Sequence, residues 1–454
     1  MGSALKGGSL ISELAKVLRK SGTTWNPAKR AFSTTCLCGK PSTDNVPGQT
    51  REGPEKIQNQ QKRNEEAGSY TELVRDFLDP KEFFGAVRKH GIDYFCGVPD
   101  SLLKDFCAYV SMNVPDENHI ITANEGTAIA VASGYHLASG KTAMVYLQNS
   151  GLGNIVNPLM SLAVPSVYSI PMLLFVGWRG EPGKRDEPQH VVQGKATPGL
   201  LAACGIPFQV LPDYLEGAEQ ALYTARKHME VSKGPYCLLV RRQTFLPYKL
   251  AKDEPKFPLN REEAIKNIVD CLKDRDVVVG TTGMLSRELF EYREAKGQGH
   301  EKDFLCVGSM GHASAIALGI ATQRPRRQVF CLDGDGAAIM HLGNLATIGN
   351  HSPPNLKHIV INNGAHDSVG GQPTDAARME DFRITQIALG VGYKQAFTAV
   401  TPEEILDSVA AMREMEGPVL LEIKVNKGNR KNLGRPTRTP IQNKADFMHF
   451  LAID

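Results

Sequence analysis

The chain has 454 residues, 41% hydrophobic and 22% charged, with a formal net charge of +3. That is enough material for two or three ordinary domains, and a balance this close to neutral points to neither a nucleic-acid nor a membrane partner. No apolar run reaches the roughly 18 residues that span a bilayer. The nine cysteines form no CxxC word and no zinc-ligand spacing, which fits a reducing compartment without a disulfide framework.

In the first fifty residues Lys6, Lys16, Arg19, Lys20, Lys29, Arg30 and Lys40 face only Glu13 and Asp44, and Leu10, Ile11, Leu14, Val17 and Leu18 recur at helical spacing. This cationic amphipathic segment, followed by "KRAFSTT", resembles a mitochondrial presequence with its processing site and implies delivery to the matrix. A basic tail on a cytoplasmic protein is the alternative. Residues 36–68 are polar and read as linker, so residues 1–70 stand apart from the folded chain.

Folding is expected from "LDPKEFFGAVRKHG", where Asp79 caps a helix, Pro80 suits its first turn and Gly91 its end. "DYFCGV", "TAMVYLQ", "PMLLFVGW" and "YCLLV" then read as buried strands around the helix "EGTAIAVASGYHLASG". The scheme repeats after residue 261 with a helix, "DVVVG", "FLCVG", "QVFCLDGDG", "HIVINN", a helix near 402–414 and "VLLEIKV". Strands that are apolar throughout and separated by helices imply parallel sheets covered on both faces. "KGPYCLLVRR" parallels "EGPVLLEIKV", with Gly417 matching Gly234 at an offset of 183, and "ACGIPFQVL" parallels "ALGVGYKQAF", with Gly390 matching Gly205 at an offset of 185. The fold class is therefore α/β. Two similar parallel-sheet domains, 71–243 and 261–435, are joined by the three-proline connector 244–260 and followed by a tail, 436–454.

Asp335 in "LDGDG" and Asn363 in "VINN" each stand where a buried strand ends, 28 residues apart, with room between them for one crossover helix. In a parallel sheet such ends share the edge that binds ligands. A carboxylate, a carboxamide oxygen and a backbone carbonyl are hard ligands suited to Mg²⁺ shared with a phosphate, and glycine lets a phosphate reach the backbone at a helix N-terminus. Taken alone, GDG is also a common tight-turn word.

The stretch as a whole resembles the diphosphate signature of thiamin-diphosphate enzymes. That resemblance implies Mg²⁺ on Asp335, Asn363 and the Ala365 carbonyl, with Gly334, Gly336 and Ala337 along the diphosphate. It assigns Glu125, at the start of a helix in the first domain, to the N1′ of the cofactor's pyrimidine; by itself such a residue is a helix-dipole glutamate. In "VGSMGHASAIALGIA", Met310 would wedge the two cofactor rings apart, with Gly308 and Ser309 beside it, although a core methionine would look the same. Thr282, Gly283 and Met284, within "GTTGMLSREL", would add diphosphate contacts.

Larger members of that family insert a third α/β domain between these two. Here only the connector is present, which narrows the resemblance to the short-form 2-oxo acid decarboxylases. "GVPDSLL", "QNSGLGNIVNPL", "GWRGEPGKRDEPQH" and "NNGAHDSVGGQPT" carry it over roughly residues 80 to 435. The implied reaction turns 3-phosphonopyruvate into phosphonoacetaldehyde and CO₂. Sulfopyruvate or another acidic 2-oxo acid is the alternative substrate, and a catalytically silent cofactor-binding scaffold is the alternative of another class. For such an anion, Arg179, Lys184, Arg185 and His190 offer cations on one Gly/Pro-rich loop, which also reads as a solvated charged loop because Asp186 and Glu187 nearly balance it. Gln148 and Asn154 are candidates for substrate oxygens. His366, Asp367 and Asp100 are candidate acids, since Val369 stands where the family has its own. The family also implies a homodimer or larger assembly with sites shared between chains, so that Glu125 acts across the interface from Asp335.

Overall fold

In the computed structural model, residues 77–251, 254–378 and 381–453 are described. The basic N-terminal segment, its processing site and the linker lie outside them.

The chain builds two six-stranded parallel sheets. The first contains β1 (Phe95–Gly97), β2 (His119–Ile121), β3 (Ala143–Gln148), β4 (Met172–Gly177), β5 (Phe208–Val210) and β6 (Tyr236–Val240), in the order β2-β1-β3-β4-β6-β5. The second contains β7 (Val277–Gly280), β8 (Asp303–Leu305), β9 (Val329–Gly334) and β10 (Leu356–Asn362). A small antiparallel hairpin, β11 (Ala365–His366) with β12 (Gln372–Pro373), follows, and then β13 (Gln395–Ala399) and β14 (Val419–Lys424) complete the sheet. Its order is β8-β7-β9-β10-β14-β13, the first sheet's order strand for strand. The offsets read from the sequence pair β6 with β14 and the edge strand β5 with the edge strand β13, so the internal repeat extends to topology. Three strands escaped the sequence reading: β2, β5 and β13 are edge strands with mixed burial, and the apolar run that betrays a central strand is missing from them.

Each sheet has its own core. On one face of the first, Phe83, Phe106, Phe175 and Phe245 interlock with ring centroids 5.3–6.2 Å apart, each ring worth roughly 1.5–3 kcal/mol of burial. On the other lies the helix Glu125–Ser139, whose Ala128, Ile129 and Ala132 pack against β1 and β3. Small side chains let it come so close that the Cys96 thiol reaches the Ala128 carbonyl at 3.4 Å. Burial pushes the Cys96 thiol up to about 12 and that of Cys237 well above its usual range. These cysteines are core residues, as their apolar surroundings suggested.

Helix ends follow local chemistry. Asp79 accepts from the Lys81 amide at 2.7 Å ahead of Pro80, and Asn124 accepts from the Gly126 amide at 2.8 Å, which fixes Glu125 as the first helical residue. The tail differs from expectation. Thr439 and Gln442 form a capping box and start the helix Pro440–Ala452, which buries Phe447 against the second sheet. The signal was the T-x-x-Q word followed by Phe447, Phe450 and Leu451.

Candidate active site

A cavity of about 730 Å³ is lined by residues that follow the carboxyl ends of strands in both sheets. From the first domain it receives Glu125, Gln148, Asn154, Arg179 and His190. From the second it receives Thr282, Gly283, Met284, Gly308, Ser309, Met310, Gly334, Asp335, Gly336, Ala337, Asn363, Ala365, His366 and Asp367.

Glu125 is only 5% exposed. Asn154 donates to its Oε2 at 2.7 Å, so this asparagine orients the acid instead of standing free for substrate. The backbone of Gly151 passes so close that a Cβ there would lie 2.6 Å from Glu125 Cγ. Glu125 is thus held from two sides with its carboxylate at the cavity wall.

Asp335 starts the short helix Asp335–Met340, and its Oδ2 accepts from the Thr374 hydroxyl at 2.5 Å. Burial pushes its carboxyl up to about 6, against the Thr374 hydrogen bond, which favours the charged form. Asn363 lies at the end of β10 with Oδ1 accepting from the Ala365 amide at 3.0 Å and Nδ2 donating to Asp367 at 2.7 Å. The chemistry of this set fits a magnesium ion: a desolvated carboxylate with no cation opposite it, a carboxamide oxygen whose orientation is fixed, and the Ala365 backbone beside them. The surroundings fit a diphosphate. Helix Met284–Ala295 begins at Gly283 and helix Asp335–Met340 at Gly334, and neither N-terminus has a side-chain cap. A Cβ at either glycine would meet nothing within 4 Å, so backbone N–H groups face open cavity. The buried Thr281 hydroxyl there also has no partner among the described residues.

Besides Asn154, four sequence assignments need correction. Asp100 is fully buried behind the wall, where it accepts from Gln148 Nε2 and from the Leu102 amide; it positions Gln148 and does not reach the cavity. Asp367 accepts from Arg261 Nη1 at 2.6 Å, from Asn363 Nδ2 and from the Gly428 amide, so it anchors Asn363 instead of standing free for substrate. Lys184 and Arg185 are exposed and outside the lining. The loop turns them away because Asp186 folds back to bind Arg179 Nε and Nη2 and the Gly180 amide. Arg179 itself stays at the wall with its remaining donor on Ser101 at 2.9 Å. Burial lowers His366 to about 4, which leaves a neutral imidazole in the cavity. Met310 is half-buried at the wall, between Ser309 and Gly311, both of positive φ.

Glu125 and Asp335 of one chain both line this cavity. Sequence reasoning missed several lining residues. His312 and His341 lie with ring centroids 4.2 Å apart and planes tilted by 51°, although "MGH" and "IMH" adjoin the two cofactor words. Arg261 pairs with Glu288 and Asp367, Arg287 sits three residues into its helix, and residues 435–440 come from the tail.

Comparison with known proteins agrees with this geometry. Residues 81–197 match the thiamine pyrophosphate enzyme, N-terminal TPP binding domain, and residues 279–423 match its C-terminal TPP binding domain. The chain is 33% identical over 377 residues to a phosphonopyruvate decarboxylase of Streptomyces viridochromogenes, covering 80% of this chain and 92% of that one. It is 28% identical to a sulfopyruvate decarboxylase of Methanosarcina acetivorans, covering 78% and 92%. Among solved structures it is similar to benzoylformate decarboxylase from Polynucleobacter necessarius, at 11% identity and a TM-score of 0.34, covering 77% of this chain and 99% of that one. With two cofactor-binding domains in sequence and a relative matched over nearly its full length, the chain belongs to the thiamine pyrophosphate enzymes, as a 2-oxo acid decarboxylase of the group that includes the phosphonopyruvate decarboxylases.

Proposed function

We propose that this enzyme converts 3-phosphonopyruvate to phosphonoacetaldehyde and CO₂, a step of phosphonate biosynthesis, with thiamin diphosphate and Mg²⁺. The observation that carries the reading is the near full-length similarity to a phosphonopyruvate decarboxylase in a chain whose cavity combines Glu125, uncapped helix N-termini and a desolvated Asp335. Asp335, Asn363 and the Ala365 carbonyl would hold the metal, and Gly283, Gly334 and Thr281 would meet the diphosphate. When bound, the cofactor supplies the electron sink that lets the carboxylate leave as CO₂.

The protein's own groups do the rest. Glu125, aimed by Asn154 and Gly151, handles the proton of the pyrimidine ring. Gln148, fixed by Asp100, and the neutral His366 donate hydrogen bonds to substrate oxygens, and the cavity walls exclude bulk water. In this reading the enzyme is a homodimer or larger assembly that the basic N-terminal segment directs to mitochondria. Incubation with 3-phosphonopyruvate, thiamin diphosphate and Mg²⁺, followed by phosphorus NMR, should show phosphonoacetaldehyde. A faster reaction with sulfopyruvate under the same conditions would reassign the substrate.

A further inference from the structure

Five arginines line the cavity: Arg179, Arg261, Arg287, Arg435 and Arg438. Four are neutralised. Arg179 is held by Asp186, Arg261 by Glu288 and Asp367, Arg435 by Glu187 and Arg438 by Asp446. Arg287 is the exception, since it makes no hydrogen bond or ion pair with any described residue.

Nothing about the position of Arg287 favours a cation in the empty protein. It lies at the fourth residue of the helix Met284–Ala295, near the end where the helix dipole opposes positive charge. Its pKa is lowered, first by burial and then by the like charge of Arg179. Arg261 and Arg293 show how the same domain treats a guanidinium kept for structure: both are buried on carboxylates, at 2.6–2.9 Å. A desolvated, unpaired guanidinium beside a second one is arranged to receive an anion from outside.

Two anions could enter this cavity, the cofactor's diphosphate and the substrate's tail. The diphosphate already has the amides at Gly283 and Gly334 and the Thr281 hydroxyl, and the tail needs a cation of its own; Arg287 lines the cavity together with Arg179 of the first domain's 179–190 loop. We infer that Arg287, backed by Arg179, is the recognition site for the tetrahedral anionic tail of the substrate, a phosphonate or sulfonate, and so sets the preference for acidic 2-oxo acids over pyruvate. The assignment rests on the proposed function for the identity of the keto acid, while the anion site stands on its own geometry.

The experiment compares wild type, Arg287→Gln and Arg287→Lys, each loaded with thiamin diphosphate and Mg²⁺. Steady-state rates are read with 3-phosphonopyruvate, sulfopyruvate and pyruvate. Titration calorimetry measures binding of the cofactor and of 3-phosphonopropionate, which keeps the tail but lacks the keto group. Removing one partner of a desolvated charge pair is expected to lower kcat/KM for the acidic substrates by about 100-fold or more, mainly through KM. Pyruvate turnover and cofactor affinity should stay within about twofold, and Lys should restore part of the loss. Binding of 3-phosphonopropionate should fall in parallel. If all three keto acids fall equally, or cofactor affinity falls, Arg287 serves the cofactor or the fold and the inference is overturned. If wild type turns over no acidic keto acid while 3-phosphonopropionate binding still depends on Arg287, the proposed function fails and the anion site stands.

Discussion

Replacing Gly151 by alanine tests the placement of Glu125 with a single methyl group. Gly151 has φ −82° and ψ −4°, a conformation alanine adopts without strain, so only the neighbours resist. The new Cβ would lie 2.5 Å from Glu125 Cδ and 2.6 Å from Cγ, whereas carbon atoms rest at about 3.5–4.0 Å. Relief requires the carboxylate to swing by about 1 Å, away from Asn154 and from its aim into the cavity. A misplacement of that size costs about 100-fold, and complete loss of an acid–base group costs about 100- to 10,000-fold. The expected result is a decarboxylation rate at least about 100-fold below wild type. Overpacking should lower stability by about 1–3 kcal/mol, which circular dichroism would register as a still-folded protein. Gly134→Ala, on Glu125's own helix where a Cβ meets nothing within 4 Å, is the control. It should raise stability by up to about 1 kcal/mol and leave the rate alone. Full activity in Gly151→Ala would refute the positioning of Glu125.

Asp335→Asn should abolish Mg²⁺-dependent cofactor binding in calorimetry while stabilising the unloaded protein. The Asp335 carboxyl is raised by burial from 3.8 to about 6, so its ionisation destabilises the fold progressively as pH rises between those values. Above pH 6 the relief is worth roughly 3 kcal/mol, and a wild-type melting temperature equal to the variant's at pH 8 would contradict it. Mixing chains that carry Glu125→Ala with chains that carry Asp335→Ala should recover about a quarter of wild-type activity if the assembly shares its sites between subunits, and none if each chain forms its own. Burial lowers His119 to about 4, where it pairs with the Tyr146 hydroxyl at 2.8 Å. Its contribution is present above pH 6.5 and is lost as pH falls towards 4, by up to roughly 3 kcal/mol. Denaturant titrations of wild type and His119→Gln should therefore diverge over that range, and parallel curves would exclude the effect.

The central strands and the two cofactor words were legible because each combines a long apolar run with a turn, and both signals are local. The edge strands β2, β5 and β13 were not, since each is partly exposed and lacks a fully buried run, whereas the edge strand β8 was legible in "FLCVG". Within the site, residue type showed which groups could act but not which were already engaged. Asp367 looks like an acid in sequence until Arg261, 106 residues away, closes on it. Lys184 and Arg185 look like an anion-binding pair until Asp186 turns the loop. The opposite failure was Arg287, inconspicuous in "SREL" because the absence of a carboxylate opposite it is a property of three-dimensional neighbours.

Among the described residues of the joint between the two halves, the fastenings lie towards its two ends. Phe245 bridges to Leu78 and the Tyr248 amide donates to Asp105 on one side, while Lys256 and Phe257 donate to Asn426 on the other. Each half keeps its own hydrophobic centre, and none of the described residues 249–251 and 254–255 belongs to either. A gene cut there should yield two polypeptides that reassemble when co-expressed, and a natural fission at the same place would leave the chemistry intact.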